Sequence, residues 1–349
     1  MVVDPSMHIS ELTFPYPDSL VALEPIRPSR VMWVENSRPV EISFQQLLGK
    51  IPRGDVLVVN NTKVLKRRVF VPWKKAFIEI LFLTRLENQT WEVLFPAKEF
   101  KVSSVLELPD GVKAELIEKG RPQKLKLDRD VNEDYFAKNA EIPLPPYIQK
   151  LRPTRHSQSQ DDEWYQTAWA KEPGSLASPT ASLHFSSSDM ELLKANGVQI
   201  VPITLHVGLG TFLPVTTENL NDFEIHGEMV EIPLSTWITI QKAKSGGNKV
   251  WTLGTTSTRA IESVAQNLLP LVGTEVGQCY KGITRIFIKP GYEWKVVDRL
   301  MTNFHQPEST LLALVAAFSD LGTVKACYKW AIECKFRLFS YGDLSVWIR

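Results

Sequence analysis

The chain contains two kinds of apolar pattern, and their order along the sequence limits the folds it can adopt. Four near-continuous apolar runs, most of them alternating with helical segments, are "DVLVVN" (55–60), "VQIVPITL" (198–205), "VWTLG" (250–254) and "ITRIFI" (283–288). Such runs are typical of buried strands in an α/β sheet. We therefore expect an α/β fold with a mostly parallel sheet and flanking helices.

A different pattern lies between the first two of these runs. From residue 77 to 127, short apolar runs such as "FIEILFL", "WEVLF" and "VKAELI" are separated by the turn sequences "ENQ", "PDG" and "KGRP". This spacing indicates a small antiparallel barrel or sandwich. We predict a discontinuous α/β domain of residues 1–64 and 151–349, into which a small β-barrel domain of residues 65–150 is inserted. The Pro-rich stretch 141–166 is interpreted as an extended returning linker.

Composition narrows the functional classes. A chain of 349 residues with 44% hydrophobic residues can bury a large core, and its net charge of +1 gives no overall attraction to nucleic acid or to an anionic membrane. The cysteines, Cys279, Cys327 and Cys334, form no Cys-x-x-Cys pair, which argues against a disulfide framework and a structural zinc site. The longest apolar run, 311–318, is too short to span a bilayer, and residues 1–17 have neither a basic region nor an apolar core, so we expect no export signal. We expect a cytoplasmic monomer with no membrane partner.

His184 lies in a run of small, hydroxylic and apolar residues just before a helix. Ser188 and Glu191 are spaced as a capping box, and Gly197 stands where a left-handed residue ends a helix. A side chain held ahead of a helix N-terminus is well placed to contact a ligand. His184 is therefore a candidate site residue.

Three further segments carry candidate ligand-binding residues. Gly208 and Gly210 follow a predicted strand and would let backbone amides approach a ligand, although a tight turn alone would also need glycine. A dinucleotide fingerprint is disfavoured because the third glycine and the following helix are missing. Asn303 and His305 lie in a loop before another helix, where a histidine is about as often structural as functional.

A Gly-Thr-Thr-Ser turn lies between the run 250–254 and an amphipathic helix. Its hydroxyls belong to Thr255, Thr256 and Ser257. Together with the first amides of the helix, they could hold a carboxylate or a phosphate. One or two of them could instead be plain N-caps.

Four of the six histidines border predicted strands or helices: His184, His206, His226 and His305. Because ligands bind at the carboxyl ends of strands in open α/β sheets, we expect these histidines to converge on one crevice. Metal binding is a weaker alternative because no pair has His-x-x-x-His spacing, and no Gly-x-Ser-x-Gly elbow supports a nucleophile. General acid or base chemistry by His226, Glu228 or His305 remains, and the first two are spaced to share one face of a strand.

A basic segment follows the first apolar run at the predicted domain junction. Its cationic residues, with no acidic residue among them, are Lys63, Lys66, Arg67, Arg68, Lys74 and Lys75. Trp73 stands beside the last pair, and cationic side chains with an interleaved aromatic ring suit an RNA backbone with an unstacked base. A solvated charged face is the alternative. We expect Lys63, Lys66, Arg67 and Arg68 to contact RNA.

Several of these segments together resemble one enzyme family. "EPGSLASPTASLHF" (172–185) is similar to the Glu-Pro-Gly-Ser-x-Ala-x-Pro-Thr-Ala-Gly-Leu-His-Phe signature of the S-adenosylmethionine:tRNA ribosyltransferase-isomerases. Further segments resemble that family in the same order: "PRGDVLVVNNTKV", "ITLHVGLGTFLPV", "IHGEMVEI", "GTTSTRAIES", "FIKPGYEWKVVDRLMTNFHQPESTLLALVAAF" and "FRLFSYGD". The resemblance spans nearly the whole chain.

The resemblance implies a function in queuosine biosynthesis. The expected reaction transfers and isomerises the ribosyl part of S-adenosylmethionine onto 7-aminomethyl-7-deazaguanine at the wobble position of a tRNA. Epoxyqueuosine forms, and adenine and methionine are released. S-adenosylmethionine is then a substrate, the partner is tRNA, and no metal or other cofactor is expected. Thr180 and His184 would line the nucleoside pocket, and His206, Gly208, Gly210, Asn303 and the Gly-Thr-Thr-Ser turn would bind substrate.

The sequence departs from the family pattern at several positions. The usual Asn-Asp-Thr-Arg-Val is Asn60-Asn61-Thr62-Lys63-Val64, and the usual His-Ser-Glu is His226-Gly227-Glu228. The carboxylate missing at Asn61 would matter if it positioned substrate. Two alternatives therefore stay open: a non-catalytic RNA-binding relative of the same fold, and an S-adenosylmethionine-dependent transferase acting on a small molecule.

Overall fold

The chain forms two compact units in a computed structural model. Unit 1 comprises Met1–Lys63 and Trp164–Arg349, and unit 2 comprises Val64–Glu163. The residues that the structure describes are 7–208, 210, 215, 217–274 and 277–349. Residues 151–163, which the sequence analysis placed in the α/β domain, belong to unit 2 in this division.

The elements are numbered in chain order. The described strands are β1 (Val31–Glu35), β2 (Arg38–Ile42), β3 (Val56–Asn60), β4 (Thr62–Val64), β5 (Arg68–Trp73), β6 (Ala76–Arg85), β7 (Thr90–Leu94), β8 (Val105–Leu108), β9 (Val112–Glu118), β10 (Gln123–Leu127), β11 (Glu172–Ser175), β12 (Gln199–Leu205), β13 (Glu228–Pro233), β14 (Val250–Leu253), β15 (Leu271–Val272), β16 (Cys279–Thr284), β17 (Arg299–Asn303) and β18 (Leu344–Ile348). The described α-helices are α1 (Phe44–Gly49), α2 (Glu133–Asn139), α3 (Pro146–Leu151), α4 (Asp161–Trp164), α5 (Ser187–Ala195), α6 (Leu234–Ser245), α7 (Thr255–Ala265), α8 (Thr310–Phe318) and α9 (Leu321–Glu333).

Ten of the described strands form one mixed sheet in unit 1, in the order β15-β16-β13-β12-β3-β14-β17-β18-β1-β2. The neighbouring strands β12, β3, β14 and β17 run parallel, and antiparallel pairs lie on both sides of them. β3 and β14 are buried along their whole length, as expected where helices such as α5, α6 and α7 cover a parallel sheet. The α/β fold is confirmed, with its parallel strands at the centre of the sheet.

Two local predictions in unit 1 are wrong. The run 283–288 is not a buried strand: β16 ends at Thr284, pairs antiparallel with β13, and leaves Ile283 52% exposed, because alternate residues of such a strand face solvent. The capping box at α5 begins earlier than predicted. Ser186 caps the amide of Asp189 at 3.2 Å, and the Asp189 carboxylate accepts from the amide of Ser186 at 2.8 Å.

Unit 2 contains a six-stranded antiparallel sheet among its described residues, in the order β5-β6-β7-β10-β9-β8. The edge strands β5 and β8 approach each other, so that the sheet curls into a nearly closed barrel. Alternate apolar residues point inward, as Val69, Val71, Ile78 and Ile80 do on β5 and β6. The inserted barrel predicted from the strand spacing is therefore present.

The Pro-rich stretch 141–166 is not wholly extended, because it contains α3 and α4. Pro146 begins α3 at a position where the missing amide proton costs nothing. After α3, the buried side chains of Arg152 and Asp161 pair with each other and hold the polar loop against α4.

Within the described residues, no single helix has the length and apolar content to cross a membrane; α8 and α9, bent by 109° at their junction, would meet that requirement only as a pair.

Candidate active site

The candidate site lies at one edge of the unit 1 sheet, where the four parallel strands end. Those strands end at Asn60, Leu205, Leu253 and Asn303. The residues that follow directly include several candidates from the sequence: His206 after β12, the Gly-Thr-Thr-Ser turn after β14, and Asn303 itself at the end of β17. Ligands of open α/β sheets bind at this edge.

Asn60 joins three elements of this edge. Its fully buried amide accepts hydrogen bonds from the backbone amides of Thr62 and Leu205, both at 3.1 Å. It donates to the carbonyl of Leu205 at 3.0 Å and to Oγ1 of Thr256 at 3.2 Å. Both donor positions and both acceptor positions are occupied, so Asn60 holds β3, β12 and the start of α7 together rather than binding a ligand itself.

His206 is half-buried beside this network. Its Nδ1 lies 2.7 Å from Oγ1 of Thr62, and a β-carbon on Gly174 would lie 2.8 Å from three ring atoms, so the imidazole packs against the backbone of Gly174. Burial lowers the pKa of His206, which keeps the ring neutral at pH 7. Among the described residues, Nε2 has no hydrogen-bond partner. A ring whose Nδ1 donates to Thr62 therefore presents Nε2 as a proton acceptor.

His184 is buried, and both of its ring nitrogens are occupied. Nε2 lies 3.1 Å from Nδ2 of Asn303, and Nδ1 lies 2.6 Å from Oγ of Ser29. Since an amide nitrogen only donates, Nε2 accepts, and the proton of the neutral ring lies on Nδ1. Burial, reinforced by Arg27 and Arg337, lowers the pKa of His184 to about 3. His184 is therefore a neutral connector between β17 and the segment before β1 at neutral pH.

His305 is also buried and neutral. Its Nε2 lies 2.8 Å from Oγ1 of Thr302, and its backbone amide donates to the hydroxyl of Tyr328 at 3.0 Å. Burial lowers the pKa of His305 to about 3. The placement of His184 and His305 thus disfavours both as proton carriers at neutral pH.

The hydroxyls at the start of α7 differ in the hydrogen bonds that they already make. Ser257 donates to the carbonyl of Leu253 at 2.9 Å and has no hydroxyl proton left for a ligand. Thr256 accepts from Asn60 and keeps its own proton, and Thr255 is buried at the first helical position. The first amides of a helix lack intrahelical acceptors, so an anion can bind here through those amides and through Thr255 and Thr256.

The turn that carries Thr180 lies close to α7. Thr180, half-buried, begins a 3-10 turn that ends at His184. A β-carbon on Gly254, whose φ is +90°, would lie 3.6 Å from the β-carbon of Ala181 in that turn. The 172–185 signature and the Gly-Thr-Thr-Ser turn are therefore neighbours in space.

Glu228 is held in a buried ion pair at the same end of the sheet. It begins β13, and the guanidinium of Arg259 on α7 donates to its carboxylate. Nε of Arg259 donates to the carbonyl of Ile286 at 3.3 Å. Because the carboxylate is already engaged by Arg259, the geometry favours a positioning role for Glu228 over proton abstraction.

His226 is exposed and lies before β13, so it does not share a strand face with Glu228 as predicted. A β-carbon on Gly210 would lie 3.1 Å from the β-carbon of His226, which brings these two candidates together. No described atom lies within 4 Å of such a carbon on Gly208. In the segment 205–212, which contains these glycines, Leu209, Thr211 and Phe212 lie outside the described residues.

The basic segment is divided between an exposed and a buried part. Lys63 is exposed, and Lys66 forms a surface ion pair with Asp162. Arg67 and Arg68, in contrast, are 4% and 1% exposed. They pair within unit 2 with Glu133 and with Glu141 respectively. Burial therefore argues against Arg67 and Arg68 as phosphate contacts.

No group of three or more His, Cys, Asp or Glu side chains is placed to hold a metal ion in the part of the chain that the structure describes.

Fold and site together define a class: an α/β protein with an inserted antiparallel barrel and a cluster of polar side chains at the ends of parallel strands. Within that class, the family described as queuosine biosynthesis protein matches residues 9–347, and the chain belongs to this family. It is 39% identical to the S-adenosylmethionine:tRNA ribosyltransferase-isomerase of Staphylococcus haemolyticus over 97% of this chain and 98% of the relative. The enzyme of the same name from Staphylococcus epidermidis is 38% identical over the same shares. A crystal structure of S-adenosylmethionine tRNA ribosyltransferase from Thermotoga maritima has 30% identity, a TM-score of 0.54, and coverage of 97% of this chain and 99% of that one.

Asn60, Thr62 and Arg259 were missed as functional candidates. Asn60 and Thr62 flank Asn61, which stands where the family pattern has a carboxylate. Asn61 itself accepts a hydrogen bond from Thr204 at 2.7 Å, so its amide is engaged with β12. The sequence could have pointed to Asn60 and Thr62, because they are polar residues at or just after the end of an apolar strand, and buried polar side chains need hydrogen-bond partners. The pairing of Arg259 with Glu228 had no local signal.

Proposed function

We propose that the chain is an S-adenosylmethionine:tRNA ribosyltransferase-isomerase. It transfers and isomerises the ribosyl moiety of S-adenosylmethionine onto 7-aminomethyl-7-deazaguanine at the tRNA wobble position, and adenine and methionine leave. One observation carries the proposal: the fold brings the segments that resemble this family, 172–185, 254–263 and 300–305, to one sheet edge. Because the substrate is a tRNA, we assign the reaction to the cytoplasm.

The reaction needs a base and an acid. The sulfonium of the donor acidifies the neighbouring ribose carbon, a base must take a proton there, and adenine must leave with a protonated nitrogen. We assign the first transfer to Nε2 of His206, because this ring is neutral, oriented by Thr62 and free at that atom. His226, exposed beside Gly210, is the second candidate. A positioned acid or base contributes roughly 10²- to 10⁴-fold to rate.

The donor's methionine carboxylate is assigned to the start of α7. The amides of the first turn and the hydroxyls of Thr255 and Thr256 supply donors there. His184 and Asn303 support this part of the site, since their hydrogen bond ties the 172–185 turn to the end of β17. Thr180 at the start of that turn is the remaining assigned contact to the nucleoside.

Two alternatives make different predictions for one assay. The protein is incubated with S-adenosylmethionine and with tRNA that carries the precursor base, and adenine is measured by chromatography. We expect adenine only when both substrates are present. Adenine release without tRNA would indicate a small-molecule transferase, and tRNA binding without adenine release would indicate a non-catalytic relative. Nothing in the described residues or in the comparisons favours either alternative.

A further inference from the structure

Unit 2 exposes an aromatic surface that its fold does not require. Phe77 on β6 is 64% exposed. The ring of His156, from the segment after α3, lies 6.3 Å from that of Phe77 and 4.1 Å from that of Phe70 on β5, centroid to centroid. We call Phe70, Phe77 and His156 the aromatic face. Phe77 and His156 are exposed and Phe70 is half-buried. Exposed rings beside each other indicate a binding surface more often than isolated apolar residues do.

The register of the barrel explains why these rings point outward. Phe77 pairs with Pro72, and Phe70 pairs with Glu79, in the antiparallel hairpin of β5 and β6. The neighbouring residues, such as Ile78 and Val71, fill the barrel core, so Phe77 is directed to solvent by alternation. The barrel core is complete without Phe77, so packing does not require an aromatic ring at this exposed position.

Two exposed cations border the aromatic face without a direct ion-pair partner among the described residues. Glu79 and Glu141 flank the buried guanidinium of Arg68 at 3.7 Å and 3.0 Å, and a carboxylate oxygen of Glu141 lies 2.6 Å from Nδ1 of His156. Lys75, in the turn before β6, and Arg155, next to His156, are exposed. Arg155 acts on Glu79 only through a longer-range electrostatic interaction, and Lys75 extends from the turn into solvent.

We propose that the aromatic face binds an unstacked nucleotide of the tRNA substrate. The base stacks on the ring of Phe77, while the ring of His156, at 81° to that of Phe77, borders the base. The flanking phosphates lie against Lys75 and Arg155. Every base has a flat π-surface that can stack on such rings, while exposed cations neutralise the backbone. A protein partner would need a larger apolar area than these rings provide. The inference rests on the proposed function, since it assigns a surface to the tRNA of that reaction.

The test compares variants of one ring. Loss of a base-stacking contact lowers affinity roughly 5- to 150-fold, so Phe77→Ala should raise the Kd for tRNA by a factor in that range. Phe77→Trp should retain binding, and Phe77→Leu should resemble Phe77→Ala, because stacking needs a ring. The matched apolar control is Ile117→Ala: this exposed side chain lies on β9, three strands from β6 in the sheet order, and its removal should leave the Kd unchanged.

The cationic part is tested by salt dependence. Lys75→Ala should flatten the slope of log Kd against log salt by about 0.7 to 0.9, the value for one phosphate contact. Lys113→Ala is the control, because Lys113 is exposed at the start of β9, at the opposite end of the sheet from the β5–β6 turn. An unchanged slope in both variants would overturn the assignment of Lys75.

Adenine release separates this inference from the proposed function. In Phe77→Ala, the KM for tRNA should rise while kcat at saturating tRNA stays that of the parent. If the parent binds tRNA and releases adenine but Phe77→Ala has the parental Kd, the aromatic face is overturned and the function stands. If Phe77→Ala keeps the parental Kd and light scattering shows that it has lost a dimer, the face is a contact between copies of the chain. If the parent binds tRNA without releasing adenine, a raised Kd in Phe77→Ala supports the face although the function fails; a parent that binds no tRNA overturns both.

Discussion

The buried pair of Glu228 and Arg259 makes a prediction that separates a structural role from a catalytic one. The two residues are 9% and 7% exposed, and one terminal nitrogen of Arg259 is buried without a hydrogen-bond partner. Glu228→Gln keeps the shape of the side chain but leaves the guanidinium without its counter-charge. Breaking one partner of a buried ion pair costs about 3 to 5 kcal/mol. We therefore expect the free energy of unfolding to fall by about this amount.

Because the expected loss of stability is large, a double-mutant cycle can resolve the coupling between Glu228 and Arg259. Urea denaturation of Glu228→Gln, Arg259→Met and the double variant gives the coupling energy between the two sites. Because desolvation of both charges offsets much of their attraction, the double variant should recover most of the stability lost in Glu228→Gln. His226→Asn is the control, since an exposed substitution usually changes stability by less than about 0.5 kcal/mol.

Measurement of turnover completes the test of the role of Glu228. If Glu228 acts through position alone, adenine release by Glu228→Gln should fall together with stability and substrate affinity. A loss of less than about 1 kcal/mol in stability, combined with a fall of a hundredfold or more in kcat and unchanged binding, would show that Glu228 is the base. That result would refute the positioning role argued from the ion pair.

Two further predictions concern the histidines of the edge. Gly174→Ala should displace the ring of His206, because the new methyl group would lie 2.8 Å from it, and kcat should therefore fall. Gly49→Ala is the control: a β-carbon there has no atom within 4 Å, and kcat should stay parental. Steady-state kinetics would check this, and parental kcat in Gly174→Ala would contradict the packing. The pKa of His184 and that of His305 are lowered to about 3 in the fold. Between about pH 3 and about pH 6.5, the unfolded chain therefore binds more protons than the folded one. The free energy of unfolding should therefore fall as pH drops through this window, by about 1.4 kcal/mol per pH unit for each histidine. Denaturation of His305→Gln should show a shallower dependence of stability on pH. An unchanged dependence would mean that His305 is protonated in the fold.

The parts of the fold that could be predicted from sequence are those that local patterns encode. The runs at β3 and β14 are apolar because both faces of these strands are buried, whereas β12 buries only alternate residues. The alternation in β6 and β9 follows from a barrel whose outer face contacts solvent. Gly197, with φ +85°, ends α5 as expected. The start of α5 could not be read with the same accuracy, because the run of serines offers more than one residue with an acid three positions on.

The parts of the site that could not be predicted depend on partners distant in sequence. Arg67 and Arg68 appear in the sequence as a cationic run, and only the fold shows that Glu133 and Glu141 pair with them. The sequence likewise marks Glu228 as a carboxylate near a histidine but gives no sign that Arg259 neutralises it. Charge and residue type are local properties, whereas burial and pairing are set by the tertiary structure.

The central claim is that ribosyl transfer to tRNA takes place at the carboxyl edge of the parallel strands and uses His206. The most direct measurement uses S-adenosylmethionine labelled with ¹³C in the ribose. After the reaction, the tRNA is digested and the mass of the wobble nucleoside is determined by mass spectrometry. We predict that the labelled ribose carbons appear in that nucleoside with the parent protein, and that His206→Asn forms at least about a hundredfold less of it while tRNA binding is unchanged. An unlabelled nucleoside from the parent protein, or parental labelling by His206→Asn, would contradict the account.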